Sequence, residues 1–438
     1  MQAGRTLLQS LLWRGLYYVT AFIINILLAR HFQASVSGTI YYISSIYALV
    51  LLFSSLSLES GIIYFAAKDE IKASKLFSFS IVWSLFIGLL SFYTVYLFFE
   101  DAYHGISRAL LIVSSVSFIC GNLFTTYCSG LFYANRNFMV PNCINIIITL
   151  CLIIVLPFNG RSIIPAINND NYFYIYFSSF FVQGICTAIA AKIKYIKNGV
   201  LQFLSMAEFR LLFRYCAMAF ISNIIFFLLY RIDYFFVERY CSADQLGNYI
   251  QVSKLVHLFF ILPTILASAV FPIIAGGQKE GINRLLTLLS RSIFLMYVLA
   301  CFVLALSGKW LFPFVFGESF TGMFLPFLWL IPGILSLSGI YTLSGYFAGR
   351  NRIRVNITGS IYALSVILAG DIIFIPRYGI IAAACVSSIG YIVYQVYIIT
   401  VFKKEHPASV ADFFIFRSSD WLQIKSTISG ALKKSNTR

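Results

Sequence analysis

A few charged or strongly polar side chains sit inside apolar runs. They are Arg14 in "LLWRGLYY", Glu59 in "LSLESGIIYF", Arg231 and Asp233 in "LLYRIDYFF", and Gln251, Lys254 and His257 in "YIQVSKLVHLF". Guanidinium and ammonium groups bind anions through charge-assisted hydrogen bonds, and carboxylates hold cations or protons. Such groups are costly in an apolar setting and mark a pathway or a pair. Each also has a plainer reading. Arg14 is near enough to the end of its run to snorkel to a headgroup layer. The i,i+2 spacing sends Arg231 and Asp233 to different helix faces, which suits a staple between helices. Gln251, Lys254 and His257 recur every third residue and share one broad face, expected to look at protein or water rather than lipid. Lys254 is the strongest candidate to line a cavity, and His257 reads as well as a satisfied structural group. Glu59 is either a cavity carboxylate or a helix end. Asp371, in "LAGDIIFIPRYG", is expected to be solvated near an outer surface.

The chain lacks the spacing of a phosphate-binding loop, a zinc-protease helix or a nucleophile elbow. Its histidines are His31, His104, His257 and His406. No catalytic constellation emerges, so the expectation is a protein that is not an enzyme and needs no cofactor. The nine cysteines have no Cys-x-x-Cys pair and sit mostly in apolar runs. They read as buried apolar side chains, with no disulfide framework or metal site.

The elements that must carry these residues follow from composition. Of 438 residues, 60% are hydrophobic, 18% aromatic and 11% charged. Soluble domains carry roughly 25% charged residues, so much of this surface must face lipid. Apolar runs near the ~20 residues that span a bilayer occur at 9–29, 38–58, 77–99, 109–128, 140–157, 173–191, 214–236, 249–271, 292–308, 323–343, 357–375 and 380–402. The first is too long for a signal peptide and reads as a membrane span. The net charge of +16 concentrates in alternate connectors, with Lys68, Lys72 and Lys75, then Arg136, then Lys192, Lys194, Lys197 and Arg210, then Lys279, Arg284 and Arg291, then Arg350, Arg352 and Arg354. Basic loops stay in the cytoplasm, so both termini are expected there, and nucleic acid is not needed to explain the charge. The connector "FEDAYHG" falls outside. The expected organisation is a six-helix bundle over 1–199, a second over 200–402, and a basic amphipathic cytoplasmic tail over 403–438. In that tail Trp421, Ile424, Ile428 and Leu432 follow helical spacing, as in a segment lying on a membrane surface.

The two halves echo each other. "SGLFYANRNFMVPN" from Ser129 joins runs four and five, and "SGYFAGRNRIRVN" from Ser344 joins runs ten and eleven. "ARHFQASVSGTIY" and "ERYCSADQLGNYI" join runs one to two and seven to eight. Arg30 pairs with Arg239, Ala34 with Ala243 and Gly38 with Gly247 at one constant offset. Six spans return the chain to its starting side. The repeat is therefore parallel, with a pseudo-two-fold axis along the membrane normal and a cavity expected between bundles. That architecture suits alternating access.

In "LLARHF…SG", "RIDYFFVE", "LGNYIQVSKLVHLF", "ASAVFPII", "AGRNR" and "IPRYGIIAAA" the chain resembles Wzx-type polysaccharide flippases, of the multidrug/oligosaccharidyl-lipid/polysaccharide exporter superfamily. The resemblance covers nearly the whole chain and rests on the order and spacing of loose motifs. It implies twelve transmembrane helices and a bacterial inner-membrane flippase. The cargo would be undecaprenyl-pyrophosphate-linked oligosaccharide, moved from inner to outer leaflet for O-antigen, capsule or exopolysaccharide assembly. It implies membrane lipids and polysaccharide polymerase machinery as partners, with a coupling ion, H+ or Na+, left open. Asp233 and Lys254 match the family's aspartate and lysine, and a cationic cavity fits Arg14 and Lys254 as pyrophosphate contacts. Many relatives have a glycine earlier and no acid where "SLSLESG" places Glu59. A cation-coupled drug exporter of the same superfamily would favour carboxylates in its cavity, and a glycan polymerase or ligase would need a large outer loop.

Overall fold

The computed structural model describes residues 2–98, 102–103, 106–155, 169–196, 202–260, 282–350, 352–406, 409–417 and 420. Among the described residues the regular structure is helical apart from one short hairpin. Among the described residues eight helices are long and apolar enough to cross a membrane, and the protein is a multi-pass integral membrane protein. Its helices expose apolar side chains on a scale water would not tolerate. On α9 (Ile282–Phe316), Phe302, Leu306, Trp310 and Phe314 follow helical spacing and are 61–75% exposed. On α3 (Ala73–Phe98), Leu85, Leu89, Tyr93 and Leu97 form a similar stripe. A hydrocarbon solvent explains both stripes, because each backbone polar group is satisfied within its own helix.

The described residues divide into two compact units, one of residues 1–227 with 315–320, the other of 228–314 with 321–438. In the first, α1 (Gln2–Ser55) packs on α5 (Met139–Val155), while α4 (Arg108–Ala134) packs on α3 and on α6 (Asn169–Tyr195). A short helix, α2 (Leu58–Ala67), also rests on α4. The α4–α6 crossing is set by two glycines. A Cβ on Gly121 would lie 2.3 Å from the Phe180 carbonyl oxygen, and one on Gly184 2.6 Å from the Gly121 oxygen. Small residues let membrane helices approach to backbone contact, where dispersion replaces a hydrophobic driving force. In the second unit α10 (Phe324–Gly349) packs along α11 (Ile353–Glu405).

Two expected connectors shrink to single residues. Runs one and two lie on one long helix, α1, broken at Gln33 (φ 60°, ψ −179°). Runs eleven and twelve lie on α11, broken at Gly379 (φ 58°, ψ −142°), so "FIPRYGI" is a helix break and not a loop. Pro376 just before this point lacks an N–H for the helix ladder. The hairpin begins in "FEDAYHG" and ends just past it, pairing Ala102 with Ser107 and Tyr103 with Ile106.

The sequence echoes have structural counterparts. Gln33 and Ser242 occupy equivalent positions at the offset that relates Ala34 to Ala243. Gln33 breaks α1, and Ser242 caps α8 (Ala243–Leu258), giving its hydroxyl to a capping box with Gln245. In the first Arg-Asn motif the Asn137 N–H donates to the Phe132 carbonyl at 2.9 Å. In the second, the Arg352 N–H donates to the Phe347 carbonyl at 2.8 Å. This five-residue backbone bond closes both helix ends. Asn142 and Asn356, both buried, each give a side-chain N–H to a backbone carbonyl near the turn, on Phe138 and Ser344.

At the end of α11, the His406 ring nitrogen lies 2.7 Å from the Tyr346 hydroxyl. Partial burial and the nearby Arg350 charge hold this imidazole below its ordinary pKa. The motif "ASAVFPII" and the tail residues Trp421, Ile424, Ile428 and Leu432 lie outside the described residues.

Candidate functional site

Five of the seven polar residues singled out by sequence lie on two helices of the second unit. Arg231 and Asp233 come from α7 (Met206–Tyr240), and Gln251, Lys254 and His257 come from α8. The helices are pinned by polar contacts. The Tyr249 hydroxyl donates to Asp233 Oδ2, and the Tyr234 hydroxyl meets Ser253 Oγ at 2.8 Å. Arg231 acts electrostatically on both Lys254 and His257.

The shared face of α8 is not uniform. Gln251 is fully buried, and neither atom of its amide finds a hydrogen-bond partner among the described residues. Lys254 and His257 are half-exposed. The His257 ring lies 5.1 Å from Phe260 and 5.9 Å from Tyr230. Tyr230 in turn meets the Tyr341 hydroxyl at 3.1 Å, so half-buried aromatic rings border the basic group.

Asp371 overturns an expectation. Its place near the end of an apolar run predicts a solvated side chain at an outer surface. It is instead fully buried in α11, and among the described residues neither carboxylate oxygen has a hydrogen-bond partner. It stands within electrostatic reach of Asp233, itself 5% exposed. The Ser387 hydroxyl, from beyond the break at Gly379, donates to Asp233 Oδ2 at 3.3 Å, while Asp233 Oδ1 has no partner among the described residues. Three helices thus bring two carboxylates together under a tyrosine and a serine. Sequence reasoning misplaces Asp371 and misses Tyr249 and Ser387. The available signal is an acid flanked on both sides by apolar residues in "LAGDIIF". Position along the chain suggests solvent, yet helix packing decides burial.

Arg14 and Glu59 belong to the other unit. Arg14 is exposed on α1, with its guanidinium 4.7 Å from the Tyr133 ring centroid and 5.3 Å from that of Phe138. Such stacking orients the fork while leaving donors for an anion. Glu59 does not end a helix. It lies in the first turn of α2, after Leu56 and Ser57 adopt left-handed backbone (φ 48° and 54°). An acid there meets the positive end of the helix. The break is held by Trp83 donating to the Ser54 carbonyl (2.9 Å), Tyr127 to the Ser55 carbonyl (3.0 Å) and Asn223 to Ser57 Oγ (2.9 Å). Glu59 is half-buried, and its Oε2 has no partner among the described residues. Among the described residues no group of three or more acidic, histidine or cysteine side chains is arranged to hold a metal ion.

A family model described as "Polysaccharide biosynthesis protein" matches residues 27–325, more than half of the sequence. The chain belongs to this polysaccharide biosynthesis family. The fold is that of the multidrug/oligosaccharidyl-lipid/polysaccharide transporters. The lipid II flippase MurJ, in an inward closed conformation, superposes with a TM-score of 0.70 at 16% identity, covering 93% of this chain and 89% of that one. The Vibrio cholerae MATE transporter VcmN superposes at 0.62 and 12% identity, covering 93% and 98%. A transporter of the same superfamily from Pyrococcus furiosus, described as having a binding pocket of reverse polarity, superposes at 0.57 and 14% identity, covering 91% and 93%. These relatives are transporters, and at such identities they speak to the fold alone. Curated protein sequences offer no match.

Proposed function

We propose that this family member is a flippase that moves undecaprenyl-pyrophosphate-linked oligosaccharide from the inner to the outer leaflet of a bacterial cytoplasmic membrane by alternating access. The observation that carries the reading is the gathering of Arg231 and Lys254 on two apolar helices, beside half-buried aromatic rings. Two cations there suit a diphosphate, and ring faces such as Tyr230 and Phe260 suit sugars. Arg14, held by Tyr133 and Phe138, is proposed as a further anion contact. Gln251 and His257 would complete the polar lining, and Glu59 stands as an acid at a strained helix start. The family description and the likeness to a lipid II flippase support the cargo class.

The proposed architecture is twelve membrane-crossing helices in two bundles of six, spanning 1–199 and 200–402, related by a pseudo-two-fold axis along the membrane normal, with both termini and the tail from 403 in the cytoplasm. The breaks at Gln33 and Gly379, which divide the two longest helices, support the count. The matching geometry at Phe132–Asn137 and Phe347–Arg352 supports the repeat.

The Asp233–Asp371 pair is the proposed coupling element. Two buried carboxylates cannot both stay charged without a counter-charge, because the desolvation cost is several kcal/mol per ion. Uptake of a proton or a sodium ion would relieve it. The same pair favours a second reading, cation-coupled drug export. The deciding experiment is reconstitution in vesicles with a lipid-linked oligosaccharide, scoring its exposure in the outer leaflet. Glycolipid translocation abolished by Lys254→Ala is the expected result. Efflux of cationic dyes without glycolipid exposure would give the function to the second reading.

A further inference from the structure

The end of α11 carries Lys403 and Lys404 just after the helix leaves its apolar stretch at Phe402. Beside them is a cavity of about 320 Å³. One wall is the last turns of α11, with Ile399 and Gln395 buried, Val396 exposed, and the Gln395 amide nitrogen without a partner among the described residues. The other is Val410 and Phe414, from the segment after the helix. The cavity is therefore apolar along one flank and doubly cationic at its mouth.

That second wall is anchored rather than draped. Ser409 and Asp412 form a capping box, and Arg417 pairs with Asp412. The Arg417 backbone N–H donates to Asp420 Oδ2 at 2.7 Å, and Asp420, 1% exposed, forms a buried ion pair with Arg291 of α9. Phe414 packs edge-on against Phe294 at 5.0 Å, and the fully buried Phe413 meets Phe402 at 5.7 Å. The acids around the cavity are taken up elsewhere. Glu405 pairs with Arg352, Asp412 with Arg417, and Asp420 with Arg291. Among the described residues no acid pairs with Lys403 or Lys404, and the hydroxyl of Thr400 is satisfied by the Val396 carbonyl at 2.7 Å.

We infer that this cavity holds one resident anionic phospholipid, its phosphate on Lys403 and Lys404 and its first methylenes between Val396 and Val410. Charge complementarity selects the headgroup. Position selects a lipid, because the apolar flank continues the membrane-facing surface of α11. Basic pockets between helices at the edge of a membrane bind acidic headgroups in this way. The site is distinct from the charges on α7 and α8, and it holds whether the cargo is a glycolipid or a drug.

The test uses full-length protein in nanodiscs of equal phosphatidylglycerol and phosphatidylcholine, with retained lipid read by native mass spectrometry. Wild type should retain one phosphatidylglycerol in preference to phosphatidylcholine. The double variant Lys403→Gln/Lys404→Gln should lose that preference by roughly 30-fold, the effect of two lysines near an acidic surface. Lys403→Arg/Lys404→Arg should keep it. Both variants change exposed side chains, and an unaltered melting temperature in zwitterionic detergent verifies folding. Equal phosphatidylglycerol retention by the glutamine variant would overturn the proposal, leaving the lysines as partners of the helix C-terminus only. Displacement of the lipid by inorganic phosphate alone would overturn the choice of a lipid.

Discussion

Replacing the two buried carboxylates one at a time should give different stability outcomes and the same functional one. Asp233 accepts hydrogen bonds from Tyr249 and Ser387, which are 1% and 2% exposed. Asp233→Ala leaves the Tyr249 and Ser387 hydroxyls only each other as partner, so one buried donor goes unsatisfied and the variant should lose about 1–3 kcal/mol. Asp371 accepts nothing from the described residues around it. Asp371→Asn removes a buried charge without breaking a bond, and its stability should stay within about 1 kcal/mol of wild type or rise. Thermal unfolding of purified protein in detergent measures both. Transport into vesicles, with proton and sodium gradients imposed separately, measures coupling, which both variants should abolish. If Asp371→Asn destabilises as much as Asp233→Ala, Asp371 has structural partners and the argument from its isolation fails. Wild-type coupling in Asp371→Asn would remove the pair from the mechanism.

Gly121→Ala places a methyl group 2.3 Å from the Phe180 carbonyl oxygen. Because the clash is with backbone, thermal unfolding should show a loss of about 3 kcal/mol, the upper end for overpacking. Arg14→Gln breaks contacts to two rings on an exposed side chain. It should cost no more than about 1 kcal/mol of stability, while glycolipid exposure in vesicles drops sharply. His406 titrates lower in the folded protein than in the unfolded chain, whose histidine value is about 6.5. Its contribution is complete above that pH and is lost as pH falls through the depressed folded value. A His406→Phe variant should therefore show a flatter loss of melting temperature on the acid side than wild type.

Much of the fold is legible in the sequence because a bilayer imposes a simple rule. Helices must be long, apolar and self-satisfied, so run length and charge breaks reveal which segments are apolar enough to cross. The echo around Arg30 and Arg239 is legible for a related reason, since turns demand particular residues at particular spacings. Whether a turn needs a loop at all is not legible. Gln33 and Gly379 each break helical geometry with one residue, and the polar residues around them read equally well as a loop. The site is half legible. Periodicity puts Gln251, Lys254 and His257 on one face of α8, but the full burial of Gln251 and the partial burial of Lys254 depend on neighbouring helices.

By itself the sequence determined a membrane-embedded helical protein, the echo between motifs in its two halves, and which helices carry charge. These are properties of each segment against its solvent. Only the tertiary structure decided that Asp371 is buried beside Asp233 rather than wetted, that Ser387 joins them from past a helix break, and that the segment after His406 is tied to α9 through Asp420 and Arg291. Those outcomes are set by which helices pack together, and lipid, being as apolar as the helices themselves, leaves no trace of that choice in hydropathy.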